Sequence, residues 1–241
     1  MEVSIINKPT HILFDLYNTL FKFFPDREIT QHQAFKSIGI KVERNLLKLS
    51  IGKADKWFAS QTAKNSVHIM NKKQKTEFFI QYEKVIAKNM NLNISKQQSG
   101  KMWDFVFNTK SSLKIYDDVE DSFKFLKKNN YTLGIITNID ESGKELLKKL
   151  KLSKYISYII TSMDADASKP DPKIFTYALN LFNVPPDRCM FIGDQIDTDV
   201  KGAINSGLIP ALLDRENQYS GFKDCLKISN LHELKNYLIA N

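Results

Sequence analysis

The segment HILFDLYNTL, residues 11–20, decides the fold that the sequence predicts. Its apolar run ends in a carboxylate, Asp15, and burying such a charge is costly unless something binds it. A second apolar run that ends in an aspartate lies far downstream, in MFIGDQIDTDV (Met190–Val200). If both runs are parallel strands, Asp15 and Asp194 meet at the carboxyl edge of one sheet, where α/β folds bind ligands. The alternative is that each aspartate only caps the helix that follows its strand.

The composition is that of a globular protein with one large domain, or one domain and a smaller module. The chain has 241 residues, of which 42% are hydrophobic and 26% are charged. No apolar stretch approaches the ~20 residues that span a bilayer. The opening sequence MEVSIINKPT has neither the basic start nor the apolar stretch of a secretory signal. We therefore expect a cytoplasmic protein without a membrane partner, in which Cys189 is a buried, reduced thiol.

The net charge of +8 is unevenly distributed. Residues 22–113 contain 17 Lys and Arg against 7 Asp and Glu, a balance of +10, and the remaining residues carry −2. A basic module can attract anionic substrates, although lysines also simply solvate exposed helix faces. Basic and aromatic residues do not alternate in a recognisable nucleic-acid module, so no nucleic-acid partner is expected.

Short apolar runs alternate with amphipathic stretches from Tyr116 onward. This alternation predicts βαβ units and a parallel sheet, and HELKNYLIA (232–240) is typical of a closing helix. The runs that we predict as strands are TLGIIT (132–137), YIIT (158–161), RCMFIG (188–193) and PALLD (210–214).

Residues 22 to about 113 interrupt that alternation with helix-like stretches such as TEFFIQYEKVIAKNM and SGKMWDFVFN. We predict an all-helical domain, 21–113, inserted into a core domain formed by 1–20 and 114–241. Because the chain leaves the core just after Leu20, we expect the insertion to cover the site around Asp15.

Four segments follow predicted strands, and parallel strands bring their carboxyl ends to one edge of the sheet. They are Asp15–Thr19, Thr137–Asn138, Lys169–Pro170 and Gly193–Asp199. Each group suits phosphoryl transfer, because a carboxylate can attack phosphorus, paired carboxylates can bind Mg²⁺, and a lysine or main-chain N–H groups can bind phosphate oxygens.

Each of these residues also has a simpler interpretation. Lys169 can be an ordinary loop lysine, and Thr137 with Asn138 can be a helix cap. Asp199 is more readily explained as an auxiliary group, or as an acid in the first turn of a helix, than as a direct metal ligand.

Taken together, the motifs FDLYNTL, IITN, SKPDPKIF and FIGDQIDTDVKGAINSG resemble, in order, those of the haloacid dehalogenase-like (HAD) hydrolase superfamily. The resemblance covers nearly the whole chain. It implies an α/β fold, with a Rossmann-like parallel sheet core, helices on both faces, and an all-helical cap domain inserted after the first motif.

The resemblance also implies roles for the residues in these motifs. Asp15 would be the nucleophile, Thr137 and Asn138 would contact the transferred group, and Lys169 would stabilise it. The implied cofactor is Mg²⁺.

The metal ligands implied by the resemblance are Asp15, Asp194 and the main-chain carbonyl of Tyr17. Asp199 would support these ligands without touching the metal.

The chain departs from phosphatases of this superfamily at Tyr17, where they usually carry a second aspartate that protonates the leaving group and activates water. A phenol, with a pKa near 10, can donate a proton but is a poor base at neutral pH. Tyrosine at this position is typical of the superfamily's L-2-haloacid dehalogenases. Those enzymes need no metal, whereas this chain keeps Gly193–Asp194 and adds Asp197 and Asp199.

We therefore predict a Mg²⁺-dependent phosphatase that acts on a small phosphorylated metabolite through an aspartyl-phosphate at Asp15. The alternatives are an L-2-haloacid dehalogenase-type hydrolase or a catalytically weak relative that binds phosphorylated ligands. Against the dehalogenase, Arg27 and Arg44 are the only arginines of the insertion, and neither lies in an evident carboxylate-binding segment. The sequence leaves the substrate and the oligomeric state open.

Overall fold

The computed structural model describes residues 8–240, which separate into two compact units. One unit takes in the chain up to Phe21 and from Ile115 onward, and the other comprises Lys22–Lys114. The expectation drawn from MEVSIINKPT concerns residues 1–10, and of these residues 1–7 lie outside the described part of the chain.

The structure contains strands and helices in a mixed order. The strands are β1 (His11–Phe14), β2 (Phe21–Phe24), β3 (Ser112–Ile115), β4 (Thr132–Thr137), β5 (Ile156–Thr161), β6 (Cys189–Gly193), β7 (Ile209–Leu213) and β8 (Leu226–Ile228). The α-helices are α1 (Arg27–Ser37), α2 (Arg44–Thr62), α3 (Lys72–Asn89), α4 (Lys96–Asn108), α5 (Val119–Lys128), α6 (Gly143–Leu150), α7 (Ser162–Ala165), α8 (Pro172–Phe182), α9 (Lys201–Asn205) and α10 (Leu231–Ala240).

The first unit is built on a six-stranded sheet in the order β5-β4-β1-β6-β7-β8. Every neighbouring pair in this sheet is parallel, and helices lie on both faces, which confirms the predicted α/β class. Strand β1 is central, with Phe14 aligned to Ile135 of β4 and to Ile192 of β6. Asp15 follows at once, and its N–H donates to the carbonyl of Ile192 at 2.8 Å. The register therefore places the Asp15 carboxyl at the carboxyl edge of the sheet.

The core of this unit explains why β1 holds its position. Ile12, Leu13 and Phe14 are fully buried, so the strand is apolar on both faces, as in other parallel sheets with covered faces. Gly134 on β4 permits close packing, because a Cβ there would lie 2.3 Å from Cζ of Phe182.

One of the amphipathic stretches that follow Tyr116, TDVKGAINSG (198–207), does not begin as an ordinary α-helix. A π-helical turn, Ile196–Val200, precedes α9. The N–H groups of Asp199 and Val200 both donate to the carbonyl of Gln195, at 3.0 and 3.2 Å, and the second bond closes the wider turn. Such turns are frequent at functional sites, and here it holds Asp199 in a buried position.

The second unit contains α1 to α4 around its own apolar core. The prediction of an all-helical insertion, 21–113, was wrong at its two ends, where β2 and β3 form a two-stranded sheet. These strands are four residues each and lie where the chain passes between the units, so they add little periodic signal to the helical pattern. Strand β8, only three residues long, was also not predicted.

Both cysteines are free thiols, and Cys189 is buried as expected. Its removal from water raises the pKa of the Cys189 thiol to about 12. Among residues 8–240, no helix combines the length and the apolar character that crossing a bilayer requires.

Candidate active site

A buried lysine binds the carboxylate that ends the central strand. Asp15 is 8% exposed, and its Oδ1 accepts a hydrogen bond of 2.6 Å from Nζ of Lys169. The same Nζ donates to Oδ1 of Asp199 at 2.7 Å. The structure thus brings three of the predicted site residues together, from the position just after β1, from the loop before α8, and from the π-helical turn.

Burial and charge set the protonation of this group. Removal from water raises the pKa of Asp15 to about 6; the Lys169 ammonium opposes this rise and the Asp199 carboxylate adds to it. Desolvation lowers the pKa of Lys169, but the two carboxylates outweigh it and hold that pKa above its usual value. Lys169 therefore keeps its charge at neutral pH, while Asp15 can be ionised there.

Asp194 completes an acidic cluster with Asp15 and Asp199. One side-chain oxygen from each lies within 4.8 Å of the others, which is close enough to hold one metal ion. With all three carboxylates ionised, Lys169 leaves two negative charges in the cluster, the charge that a divalent cation would balance. Carboxylate oxygens are also the donors that Mg²⁺ prefers. The residues present therefore fit such an ion.

Asp199 is held within the protein through both of its oxygens. Oδ1 accepts from Lys169, and Oδ2 accepts from the main-chain N–H of Gln195 at 2.9 Å. Gly193 makes room for this carboxylate, because a Cβ on Gly193 would lie 2.3 Å from Oδ2 of Asp199. Because both oxygens of Asp199 are already bound within the protein, this residue is better suited to supporting the cluster than to binding a metal directly.

Asn138 lies beside Lys169, and Thr137 is buried at the end of β4. The Asn138 side chain accepts from the N–H of Lys169 at 2.8 Å and donates to its carbonyl at 3.0 Å. These two bonds fix the main chain of the lysine. The predicted contacts of Thr137 and Asn138 with a transferred group stay predictions.

Tyr17 lies in a tight turn after β1, half-buried, next to Asn18 with φ of 58°. The N–H groups of Leu20 and Phe21 both donate to the carbonyl of Leu16, which closes this turn. Burial, with the charges of Asp15 and Glu141, raises the pKa of the Tyr17 hydroxyl. Tyr17 is therefore protonated at neutral pH and a poor general base; a metal contact through its carbonyl stays a prediction.

Two residues of the site were missed by the sequence analysis. Gln195 donates through Nε2 to Oδ2 of Asp194 at 2.7 Å, and the hydroxyl of Tyr219 donates to Oε1 of Gln195 at 3.2 Å. A signal for Tyr219 existed in Asp214, which ends the run PALLD. The rule that parallel strands converge at their carboxyl ends would have placed the following loop near the site.

The two arginines of the second unit differ in their surroundings. Arg27 donates to both carboxylate oxygens of Asp55, at 2.9 and 2.8 Å, and to the hydroxyl of Tyr82. Arg44 is exposed at the start of α2. The guanidinium of Arg27 is thus engaged within its own unit.

Comparison with known proteins identifies a matching family. A family model for haloacid dehalogenase-like hydrolases matches residues 9–207. Glyceraldehyde 3-phosphate phosphatase of Pyrococcus furiosus is 37% identical over 84 residues, which are 34% of this chain and 35% of that protein. Other curated relatives are matched over similar shares, such as 37% and 41% of their own length. The chain therefore spans well under two thirds of these relatives.

Solved structures of similar fold include a putative hydrolase and a dehalogenase. The putative HAD-hydrolase YfnB from Bacillus subtilis, bound to magnesium, superposes with a TM-score of 0.65 at 18% identity, covering 96% of this chain and 99% of that one. A 2-haloacid dehalogenase from Pseudomonas syringae superposes with a TM-score of 0.57 at 18% identity, covering 96% and 98%. At these identities the likeness shows the fold alone.

Proposed function

The chain belongs to the haloacid dehalogenase-like hydrolase family, and we propose that it is a Mg²⁺-dependent phosphatase acting on a small phosphorylated metabolite. The observation that carries the proposal is the cluster of Asp15, Asp194 and Asp199, in which Asp15 and Asp199 accept from the ammonium of Lys169. Its excess negative charge suits a divalent cation, which a phosphatase uses and a metal-independent dehalogenase does not.

Asp15 is the nucleophile of the proposed reaction. Its carboxylate oxygen attacks phosphorus, the bond from phosphorus to the leaving oxygen breaks, and an aspartyl-phosphate forms on Asp15. Water then attacks the same phosphorus, and the bond from phosphorus to the Asp15 oxygen breaks. This restores the carboxylate and releases inorganic phosphate, which carries away the protons of the water. A pKa of about 6 leaves Asp15 ionised at neutral pH. Bound Mg²⁺ would neutralise the repulsion between the carboxylates and the substrate's phosphate.

Lys169 supplies a fixed positive charge in this reaction. It lies in hydrogen-bond contact with the nucleophile, and Asn138 holds its main chain. A charge placed before the reaction starts stabilises the negative oxygens of phosphorus without reorganisation. Lys169 stays protonated throughout, so it takes no proton from water.

Tyr17 restricts the substrates that the proposed enzyme hydrolyses well. The hydroxyl can donate a proton to the leaving oxygen, but it cannot easily take one from water. We therefore expect slow hydrolysis of the aspartyl-phosphate and a preference for esters with good leaving groups. We further propose that residues 21–113 are the family's helical cap domain, and that the protein acts in the cytoplasm without a nucleic-acid or membrane partner.

A dehalogenase is the second candidate, and Tyr17 is the observation that favours it. A halide leaves without a proton, so that reaction does not need the missing aspartate. The engagement of Arg27 by Asp55 and Tyr82 weighs against this candidate, because it occupies one of the two arginines of the insertion.

Parallel assays separate the two candidates. Phosphate release from p-nitrophenyl phosphate is measured with MgCl₂ and with EDTA, and chloride release from 2-chloropropionate is measured in the same buffers. The proposal expects phosphate release with Mg²⁺ only, lost in Asp15→Asn. Chloride release in EDTA, with no phosphate release from the aryl ester or a metabolite panel, would overturn it.

A further inference from the structure

Gln195 hydrogen bonds to two of the three clustered carboxylates. Its side-chain Nε2 donates to Oδ2 of Asp194 at 2.7 Å, and its main-chain N–H donates to Oδ2 of Asp199 at 2.9 Å. Because the residue follows Asp194 directly, its side chain can orient the carboxylate of its neighbour while its main chain is fixed by the π-helical turn.

The orientation of the Gln195 amide matters for this contact. An amide has a donor end and an acceptor end, and turning it over would bring Oε1 against the Asp194 carboxylate. The hydroxyl of Tyr219 donates to Oε1 at 3.2 Å, which favours the orientation that aims Nε2 at Asp194. The phenol and the carboxylate thus contact opposite ends of the same amide.

The loop that carries Tyr219 is fixed at the same edge of the sheet. Asp214, 6% exposed after β7, accepts from the main-chain N–H groups of Gln218 and Tyr219 at 2.7 and 2.8 Å. Lys227 donates to the carbonyl of Tyr219 at 3.0 Å. The phenol therefore approaches Gln195 from a well-anchored main chain.

We propose that Tyr219 and Gln195 are positioning residues that set the orientation of the Asp194 carboxylate toward a divalent cation. We call the chain of contacts from Tyr219 through Gln195 to Asp194 the relay. The relay rests on the proposed function, because it assumes that Asp194 binds the metal. Groups that orient metal ligands tune the affinity for the metal, and their loss typically weakens binding by about 10–100-fold. The relay therefore controls the Mg²⁺ concentration at which the enzyme becomes active more than its maximal rate.

The test measures Mg²⁺ binding to the EDTA-stripped protein, by titration calorimetry and by the rise of Tm with MgCl₂. Tyr219→Phe removes one hydroxyl and is expected to raise the apparent Kd for Mg²⁺ by about 10-fold. Tyr177→Phe is the matched control, because Tyr177 is 42% exposed on α8.

A double-mutant cycle distinguishes a relay from a structural role. Gln195→Met removes the amide, so adding Tyr219→Phe should change the Kd no further. Independent structural roles would instead give additive losses. Additive losses, or a Tyr219→Phe variant that binds Mg²⁺ like the natural protein, overturn the relay.

A further variant keeps failure of the relay distinct from failure of the proposed function. Asp194→Asn should abolish the Mg²⁺-dependent rise of Tm. If the natural protein and Asp194→Asn respond equally to Mg²⁺, the metal site is wrong and both proposals fall. If only Asp194→Asn loses the response while Tyr219→Phe keeps it in full, the metal site stands and the relay falls.

Discussion

Lys169 and Asp15, 154 residues apart in the chain, form a buried ion pair at the carboxyl edge of the sheet, with 2.6 Å between Nζ and Oδ1. Asp199 accepts from the same ammonium. One lysine therefore supplies the positive charge for two buried carboxylates, so we expect changes at this residue to affect both the proposed reaction and the stability of the fold.

Replacing Lys169 by methionine should destabilise the metal-free protein. Removing one partner of a buried ion pair leaves uncompensated charge, which costs about 3–5 kcal/mol. Urea denaturation at pH 8 in EDTA measures this loss. Lys173→Met is the control, since its ion pair with Asp166 is exposed and should contribute less than about 1 kcal/mol. Equal effects of the two variants would contradict the assignment of Lys169 as a buried counter-charge.

Glu83 should make the stability of the second unit depend on pH. It is 1% exposed, and burial raises its pKa from 4.5 to about 7. The hydrogen bond from Gln31 and the charge of Arg27 lower this pKa but do not outweigh the burial. Because the pKa of Glu83 is higher in the folded than in the unfolded protein, its contribution to the free energy of unfolding is complete below pH 4.5. That contribution is lost as the pH rises through 7.

Glu83→Gln, which cannot ionise, should therefore gain stability relative to the natural protein by about 2–3 kcal/mol between pH 5 and pH 8. Urea denaturation at several pH values measures the difference. Glu77→Gln, at an exposed position on the same helix, should show no such trend. Parallel pH curves for the natural protein and Glu83→Gln would show that Glu83 does not titrate in this range.

Tyr17→Asp should increase phosphatase activity. An aspartate there can protonate the leaving oxygen and activate water, and such general acid–base catalysis contributes about 10²–10⁴-fold. The gain should be larger for an alkyl phosphate than for p-nitrophenyl phosphate, whose leaving group needs no proton. Tyr17→Phe is the control that removes the hydroxyl without adding a carboxylate. If neither substrate is turned over faster by Tyr17→Asp, the remaining machinery is not that of a phosphatase.

Gly193→Ala should disturb Asp199. The added Cβ would lie 2.3 Å from its Oδ2, and overpacking of this kind costs about 1–3 kcal/mol. The displaced carboxylate should also weaken binding of Mg²⁺. Gly221→Ala is the matched control, because a Cβ there meets nothing within 4 Å. The Tm and its shift with Mg²⁺ are both measured. If both values for Gly193→Ala equal those of the natural protein, the close packing of Gly193 against Asp199 is refuted.

The positions of Asp15 and Asp194 could be predicted from the sequence, because each follows an apolar run long enough to form a parallel strand. Gln195 carried no such signal, since uncharged polar side chains are common in loops and their hydrogen bonds depend on tertiary contacts. The signal for Tyr219 was indirect, through Asp214 at the end of the run PALLD. The π-helical turn was equally hidden. The turn is closed by the hydrogen bond from the N–H of Val200 to the carbonyl of Gln195, and Asp199 packs against Gly193 within it. No local periodicity of the sequence encodes this packing.

The most direct measurement identifies the covalently modified residue during turnover. The protein is mixed with p-nitrophenyl phosphate and MgCl₂, quenched, and treated with borohydride, which reduces an aspartyl-phosphate to homoserine. Because Tyr17 is a poor base, the intermediate should accumulate. Peptide mass spectrometry should then find homoserine at position 15, and none after EDTA treatment or in Asp15→Asn. Continued phosphate release with Asp15 unmodified, or homoserine at another position, would contradict the account.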